Sequence, residues 1–151
     1  MASIDVVDSI CIRAPAAEVF KVVADYPAIA QWFPVYHCEI EGEGAIAPGS
    51  IVAHRYGRPP FVLSRFRRRV ERIVPGECLE ESYIDGDLRG KGVWRFAEQD
   101  GVTTASYHCQ VSAQSWFARL GFRLQGSRAH SAVYEKLLAA LKLRCETGGS
   151  R

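Results

Sequence analysis

The middle of the chain alternates between apolar and polar residues, which is the pattern of half-buried β-strands. Short turn dipeptides interrupt the alternation at Pro75-Gly76, Gly86-Asp87 and Asp100-Gly101, and a longer break spans residues 57–60. The pattern predicts six strands, at residues 36–42, 50–56, 61–74, 77–85, 89–98 and 102–112. Strands joined by such short connections pair antiparallel.

The two ends of the chain carry other patterns. Residues 4–12 mix β-branched with polar residues and predict a first strand. Helical spacing of apolar residues predicts short helices at residues 15–25 and 28–33 and a long one at about residues 128–145. The order β-α-α-β6-α predicts an α+β fold, in which a curved seven-stranded antiparallel sheet wraps around the long C-terminal helix and leaves a cavity.

Hairpin geometry predicts which side chains face that cavity. A turn centred on Asp100-Gly101 pairs Trp94 with Tyr107, and the same reasoning at the other turns pairs Glu81 with Gly92 and Arg68 with Tyr83. The inward set from the last two strands is Gly90, Gly92, Trp94, Phe96, Ala105, Tyr107, Cys109 and Val111, whereas Arg95, Ser106 and His108 face outward.

The register predicts an unusual polar group inside the apolar sheet face. Arg68, Glu81 and Tyr83 meet there, although a buried charge is costly unless it is paired. The alternative is that Arg68 or Glu81 lies at the rim of the sheet, in water. For residues 51–56, both inward sets remain open: Val52, His54 and Tyr56, or Ile51, Ala53 and Arg55.

Composition adds the class of protein. A chain of 151 residues with 48% hydrophobic and 24% charged residues is typical of one soluble domain, which we place at residues 1–147 with a flexible tail at residues 148–151. No apolar run is long enough for a membrane span, and no signal-peptide layout opens the chain, so we expect a cytoplasmic protein. Its five cysteines have no regular spacing and are expected to be reduced thiols.

The net charge and the lack of metal-binding motifs limit the kinds of partner that we expect. The net charge is only +2, which argues against nucleic-acid binding. His37-Cys38 and His108-Cys109 are strand neighbours that point to opposite faces, so we expect no metal site, and we expect no bound cofactor. The outward arginines of residues 65–69 form a basic stripe, which fits either a solvated strand face or contact with an anionic membrane or partner.

Three stretches resemble a known superfamily. The superfamily's strand-to-helix junction resembles Ile12-Arg13-Ala14-Pro15 with Glu18-Val19-Phe20. Its pair of short helices resembles Asp25-Tyr26-Pro27 with Trp32-Phe33-Pro34, and its Gly-rich hairpin resembles residues 86–96. The chain resembles the START-related superfamily of helix-grip proteins, which includes birch-pollen-allergen-like proteins and polyketide cyclase/dehydrase and lipid-transport proteins. The hairpin and Asp25-Tyr26-Pro27 are also similar to coenzyme-Q-binding proteins.

The resemblance implies a protein that binds a lipid-, polyketide- or aromatic-like ligand between the sheet and the C-terminal helix. Two alternatives stay open: a cofactor-independent polyketide aromatase/cyclase or dehydratase, and a quinone-binding chaperone. No catalytic set carries over, and the protein is expected to be a monomer or a homodimer. The residues expected to line the ligand pocket are Trp32, Tyr36, Phe66, Arg68, Glu81, Tyr83, Trp94, Tyr107, Trp116 and Leu120.

Overall fold

The computed structural model describes residues 3–148 as a sheet that packs around one long helix. The strands are β1 (Ser3–Ile12), β2 (Tyr36–Glu41), β3 (Ile51–Arg58), β4 (Phe61–Val74), β5 (Cys78–Gly86), β6 (Leu88–Gln99) and β7 (Val102–Ala113). The helices are α1 (Ala16–Ala24), a 3-10 turn (Tyr26–Ala28), α2 (Ile29–Trp32), α3 (Trp116–Gln125) and α4 (Arg128–Gly148).

All neighbouring strands in the sheet are antiparallel, in the order β1-β7-β6-β5-β4-β3-β2. The first strand therefore pairs with the last, and β2 forms the opposite edge. Helix α4 packs on the inner face through Tyr134, Leu137, Leu138 and Leu141, all buried. The predicted seven-stranded sheet wrapped around a C-terminal helix is confirmed.

The β6–β7 hairpin shows how local sequence sets the register. Asp100 and Gly101 both have positive φ angles, 53° and 76°, which match the right-handed twist of a two-residue hairpin. Trp94 pairs with Tyr107 as predicted. Trp94 and Tyr107 are buried and Arg95 is exposed, as predicted, whereas Ser106 and His108 are only partly exposed.

The structure also decides the parity of β3 and β4. Arg68 pairs with Tyr83 across β4 and β5, as predicted. On β3 the inward set is Val52, His54 and Tyr56, because Val52 and His54 are almost fully buried. Arg68 and Glu81 are each only 2% exposed, so neither lies at a wet rim.

Two elements differ from the prediction. The sequence pattern predicts no helix or strand over residues 116–125, but they form α3. The Ser115 hydroxyl caps its first turn by accepting a hydrogen bond from the Ala118 N–H at 3.1 Å. The tail was expected to begin at residue 148, but Gly148 still belongs to α4. The rest of that expected tail, residues 149–151, lies outside the described residues.

Candidate functional site

Seven polar or aromatic-hydroxyl side chains meet on the inner face of the sheet, and we call them the buried polar cluster. They come from β2 to β5, from β7 and from the 3-10 turn, which brings one residue across from the helical layer. Each is 3% exposed or less: Tyr26, Tyr36, His54, Arg68, Glu81, Tyr83 and Tyr107.

The guanidinium of Arg68 is the centre of the cluster. Its Nε donates to Nε2 of His54 at 3.0 Å, and its Nη1 donates to the hydroxyls of Tyr107 at 2.7 Å and Tyr83 at 3.3 Å. Burial opposes the charge, but the Glu81 carboxylate and the surrounding tyrosines outweigh burial and raise the pKa of Arg68. Arg68 therefore stays protonated and presents fixed donors to the space in front of it.

Glu81 balances that charge incompletely. Its Oε1 accepts a hydrogen bond from the Tyr26 hydroxyl at 2.6 Å, whereas its Oε2 lies 3.6 Å from Nε of Arg68 and has no hydrogen-bond partner among the described residues. Burial raises the pKa of Glu81, and Arg68 and Tyr26 oppose that rise. A buried carboxylate oxygen without a donor is costly in free energy, and a ligand hydroxyl or a water molecule would satisfy it.

His54 is held as a neutral imidazole. Burial and the neighbouring Arg68 lower its pKa well below the usual value. Nε of Arg68 donates to Nε2 of His54 at 3.0 Å, and Nη2 of Arg68 also lies 3.2 Å from Nδ1. Because Arg68 can only donate and a neutral imidazole has one acceptor nitrogen, the lone pair of His54 faces Arg68 in either tautomer. The Tyr36 hydroxyl at 2.9 Å and Sγ of Cys38 at 3.2 Å also lie next to Nδ1. The lone pair of His54 is thus already used, and Oε2 of Glu81 is the free basic atom of the cluster.

Tyr107 reaches the cluster by passing over a glycine. Its hydroxyl lies 2.5 Å from that of Tyr83 on β5, although Tyr107 belongs to β7, two strands away. A Cβ atom built on Gly92 of the intervening β6 would overlap the Tyr107 hydroxyl. Gly92 therefore makes room for the Tyr107 side chain.

The cavity expected between sheet and helix is almost closed. A void of only about 10 Å³ remains, enough for about one water molecule. Its lining includes Arg68, Trp94 and Trp32, together with Leu137 of α4. On the other side of Trp32 lies an open surface depression of about 190 Å³ between α1, α2 and α4. Trp32 thus lines both the void beside the polar cluster and the open depression.

A larger surface depression lies elsewhere. It measures about 1020 Å³ and lies between the start of α1 and the end of α4. Its two carboxylates already have partners: Glu146 accepts hydrogen bonds from the Arg13 backbone N–H at 2.8 Å and from Lys142 at 2.7 Å, and Glu18 pairs with Lys21 at 3.4 Å. We therefore place the candidate site at the polar cluster.

Eight of the ten residues expected to line the pocket surround this cluster. Tyr36, Arg68, Glu81, Tyr83 and Tyr107 belong to it, Phe66 stacks on His54 at 5.1 Å between ring centroids, Trp94 lies 5.1 Å from Tyr107, and Trp32 lines the void. The other two, Trp116 and Leu120, are 76% and 47% exposed on α3. The structure does not bring them to the cluster, because α3 buries none of its residues.

A second polar pair beside the cluster was missed from the sequence. Asp8 on β1 pairs across the sheet with Tyr107, and its Oδ2 lies 3.6 Å from Nδ1 of His130 on α4. The His130 ring stacks on Tyr134 at 4.4 Å, and Tyr134 stacks on Tyr107 at 4.5 Å. The alternation along β1 could have indicated Asp8, because an acidic residue there takes the inward position between Val6 and Ile10.

Other chemistries find little support in the described part of the chain. Burial raises the pKa of Cys109 to about 12 and that of Cys38 further, so both are thiols rather than thiolates at neutral pH. All five cysteines are free. Within residues 3–148 no three His, Cys, Asp or Glu side chains are grouped as metal ligands, and no helix there is long and apolar enough to cross a membrane.

A curved antiparallel sheet closed by one long helix over a polar cluster defines the helix-grip class of proteins. Residues 3–146 match the model of the family described as polyketide cyclase / dehydrase and lipid transport. The chain belongs to this family. No curated protein matches it.

Solved structures of low sequence identity share the fold. The Zhui aromatase/cyclase from Streptomyces sp. R1128 superposes with a TM-score of 0.73 at 18% identity, over 97% of this chain and 98% of that one. The protein TTHA0849 from Thermus thermophilus has a TM-score of 0.77 at 15% identity, over 93% and 96% of the chains. A START superfamily protein from Mycobacterium smegmatis has a TM-score of 0.75 at 17% identity, over 94% and 97%.

Proposed function

We propose that the protein binds a small hydrophobic molecule whose oxygen-bearing end contacts Arg68 and Glu81. The observation that supports this most is the unpartnered Oε2 of Glu81, 3.6 Å from a permanently charged arginine in the core. A ligand with a hydroxyl beside a carbonyl would donate to Glu81 and accept from Arg68. The aromatic side chains of Trp32, Phe66 and Trp94 would contact its apolar part.

The cost of the cluster supports a role in binding rather than in packing. A buried ion pair is often no more stabilising than well-packed apolar residues of the same size, because both charges lose their hydration. Here one oxygen of the pair is also left without a donor. Such an arrangement weakens the core unless a bound molecule completes it, which is the ordinary compromise of binding sites.

The ligand needs a way in, because the void is about 10 Å³. Trp32 lines both this void and the surface depression beside α1 and α4, and it is itself only partly buried. We propose that rotation of the Trp32 side chain opens the site. The ligand then takes the space that the indole and the neighbouring apolar side chains release.

A polyketide cyclase activity is the second candidate, supported by the raised pKa of Glu81 beside Arg68. In such a step Oε2 of Glu81 accepts a proton from a carbon between two carbonyls. The electron pair of that C–H bond moves onto a carbonyl oxygen that accepts hydrogen bonds from Arg68, and the resulting enolate carbon attacks a second carbonyl of the same chain. The π electrons of the second carbonyl move onto its oxygen, and this oxygen takes the proton back from Glu81. Closure around the substrate would hold the two carbons together.

The first experiment identifies a ligand and tests its orientation. Native mass spectrometry of freshly purified protein detects a co-purified molecule, and anilinonaphthalene sulfonate serves as a titratable probe with an anionic end. Arg68→Met is expected to weaken binding by about ten- to a hundredfold, since a hydrogen bond to a charged group contributes about 1.5–3 kcal/mol. Arg67→Ala is the matched control, because Arg67 lies on the outer face of the same strand. Equal losses in both variants would exclude an orienting role for Arg68.

The second experiment tests the entrance. Trp32→Ala is expected to accelerate association of the same probe, because the indole no longer blocks the path. Trp116→Ala, which removes an exposed tryptophan on α3, is the control and should leave the rate unchanged. An unchanged rate in Trp32→Ala would place the entrance elsewhere.

The third experiment separates the carrier from the cyclase. Glu81→Gln keeps a side chain of the same shape but removes the proton acceptor. With a linear poly-β-ketone thioester, a cyclase loses product formation in this variant while it still binds the substrate. A wild-type protein that binds the thioester and returns it unchanged is a carrier.

A further inference from the structure

Two surface segments hold most of the large apolar side chains that the described chain exposes. Of nine such residues, four lie on α3 and two near the tip of the β3–β4 hairpin. Their exposed fractions are 76% for Trp116, 54% for Phe117, 47% for Leu120, 74% for Leu124, 80% for Phe61 and 55% for Leu63. Single exposed apolar residues are ordinary, but groups of this kind indicate a surface that meets another phase or partner.

The two segments lie at the same end of the sheet. The Gln114 N–H, just before α3, donates to the Asp87 carbonyl at 2.8 Å, and the Asp87 N–H donates to the Arg65 carbonyl at 2.9 Å. These bonds tie the start of α3 to β4 through the β5–β6 turn. Phe61 and Leu63 precede Arg65 on β4 and lie beyond this junction.

The charged residues of α3 are all basic. At 100° per residue the four apolar side chains of α3 fall within an arc of about 100°, with Arg123 and Arg119 beside one edge of that arc. Residues 115–128 contain three arginines and no acidic residue, and the hairpin segment 56–65 contains Arg58 and Arg65 and no acidic residue. None of these five arginines makes an ion pair within residues 3–148.

We infer that α3 and the tip of the β3–β4 hairpin dock on an anionic lipid surface. Aromatic and leucine side chains enter the interfacial region of a bilayer, and the flanking arginines contact the lipid phosphates. Self-association through the same surface is disfavoured, because a two-fold interface would bring unpaired arginines of the two copies together. This inference does not depend on the proposed ligand, because neither segment contributes to the polar cluster.

Vesicle co-sedimentation of the full chain tests the inference. Wild-type protein is expected to bind vesicles of phosphatidylcholine with about a third phosphatidylglycerol, and to bind pure phosphatidylcholine far more weakly. Raising the salt from about 0.1 M to about 0.5 M should release much of the protein, because the shorter Debye length screens the arginines. No binding to either vesicle would overturn the inference.

Two double variants separate the apolar and the basic contribution. Trp116→Ser/Leu124→Ser should lower the partition coefficient by tenfold or more, and Arg119→Glu/Arg123→Glu by roughly fivefold or more per site on the anionic vesicles. These side chains are largely exposed, so circular dichroism should confirm an unchanged fold.

Matched controls lie on other surfaces. Leu143→Ser removes an exposed leucine of α4, and Arg95→Glu/Lys136→Glu makes the same change of net charge away from α3. Both controls should bind like the wild type. Equal losses in controls and test variants would overturn the inference. So would a wild-type dimer that Trp116→Ser/Leu124→Ser converts to a monomer without any vesicle binding, since α3 would then be a protein interface.

Discussion

Two adjacent arginines on strand β4 point to opposite faces of the sheet and differ in burial and in contacts. Arg68 on the inner face is 2% exposed. Its guanidinium lies beside one carboxylate and donates hydrogen bonds to one imidazole and two tyrosine hydroxyls. Arg67 on the outer face is partly exposed and makes ion pairs with Glu41 and Asp85. Arg67 thus has two carboxylate partners, whereas the contacts around Arg68 leave one carboxylate oxygen of Glu81 without a donor. This difference supports the binding role that we propose for the inner charges.

The largest effect is expected from Arg68. Arg68→Met removes the cation but leaves Glu81 buried, and breaking a buried pair in this way costs about 3–5 kcal/mol. Urea unfolding followed by fluorescence measures the loss. The double variant Arg68→Met/Glu81→Met, which removes both charges, should be clearly more stable than Arg68→Met alone. A double variant as unstable as the sum of the two single variants would mean that the two residues do not interact.

Gly92 comes next, because it tests the path of Tyr107 across the sheet. Gly92→Ala places a methyl group where the Tyr107 hydroxyl lies, so Tyr107 must move away from Tyr83 and Arg68. We expect a loss of about 1–3 kcal/mol, the usual cost of overpacking a core. Gly92→Ala/Tyr107→Phe, which lacks the hydroxyl, should recover part of it. If Gly92→Ala is neutral, the tyrosine has an alternative position of equal free energy.

The registers of the β6–β7 and β4–β5 pairs were both predicted correctly from the sequence, but for different reasons. The β6–β7 pairing follows directly from the Asp100-Gly101 turn, and the buried tryptophan and tyrosine confirm it. The pairing of Arg68 with Tyr83 was predicted from a two-residue Pro75-Gly76 turn. In fact the turn is one residue longer, since Val74 pairs with Cys78, and an irregularity between Val70 and Arg72 shifts the register back. Two single-residue deviations cancel, and the prediction holds.

The rest of the site depends on information that one sequence does not contain. His54 could not be placed because the register between β3 and β4 shifts at Tyr56 and Gly57, so turn counting does not determine its face. The cavity was overestimated because strand patterns give the direction of side chains but not how far they extend. Tyr107 reaches across Gly92 to Tyr83, and Trp32 lines the small void that remains. Trp116 and Leu120 were placed in the pocket because apolar residues usually pack inward, yet α3 presents them to solvent.

The next effect is a pH dependence of the free energy of unfolding, which we expect from His130 on the inner side of the sheet. Burial lowers the pKa of His130 to about 4, below the ordinary value of 6.5. The unfolded chain therefore binds a proton at this site more readily, and this contribution to stability is lost as the pH falls from about 6.5 towards 4. At pH 5 we expect a loss of about 2 kcal/mol relative to pH 7.

The measurement compares urea unfolding of the wild type and His130→Gln at both pH values. The wild type should lose about 2 kcal/mol more than the variant between pH 7 and pH 5. His54 also has a lowered pKa and acts in both proteins, so the difference isolates His130. His37→Gln, at a half-exposed site on β2, is the control and should follow the wild type. Parallel pH profiles for the wild type and His130→Gln would show that His130 titrates normally.

The smallest effect is expected on the outer face of β4. Arg67 donates to Glu41 at 2.8 Å and to Asp85 at 2.7 Å, and these contacts raise the pKa of Arg67 and lower that of Asp85. Water hydrates all three groups once the contacts are broken, so Arg67→Ala should leave the free energy of unfolding nearly unchanged. Any remaining loss should disappear in about 1 M salt, where the Debye length is about 3 Å. A large, salt-independent loss in Arg67→Ala would mean that the outer face also contributes to the stability of the core, and the functional contrast between Arg67 and Arg68 would then fail.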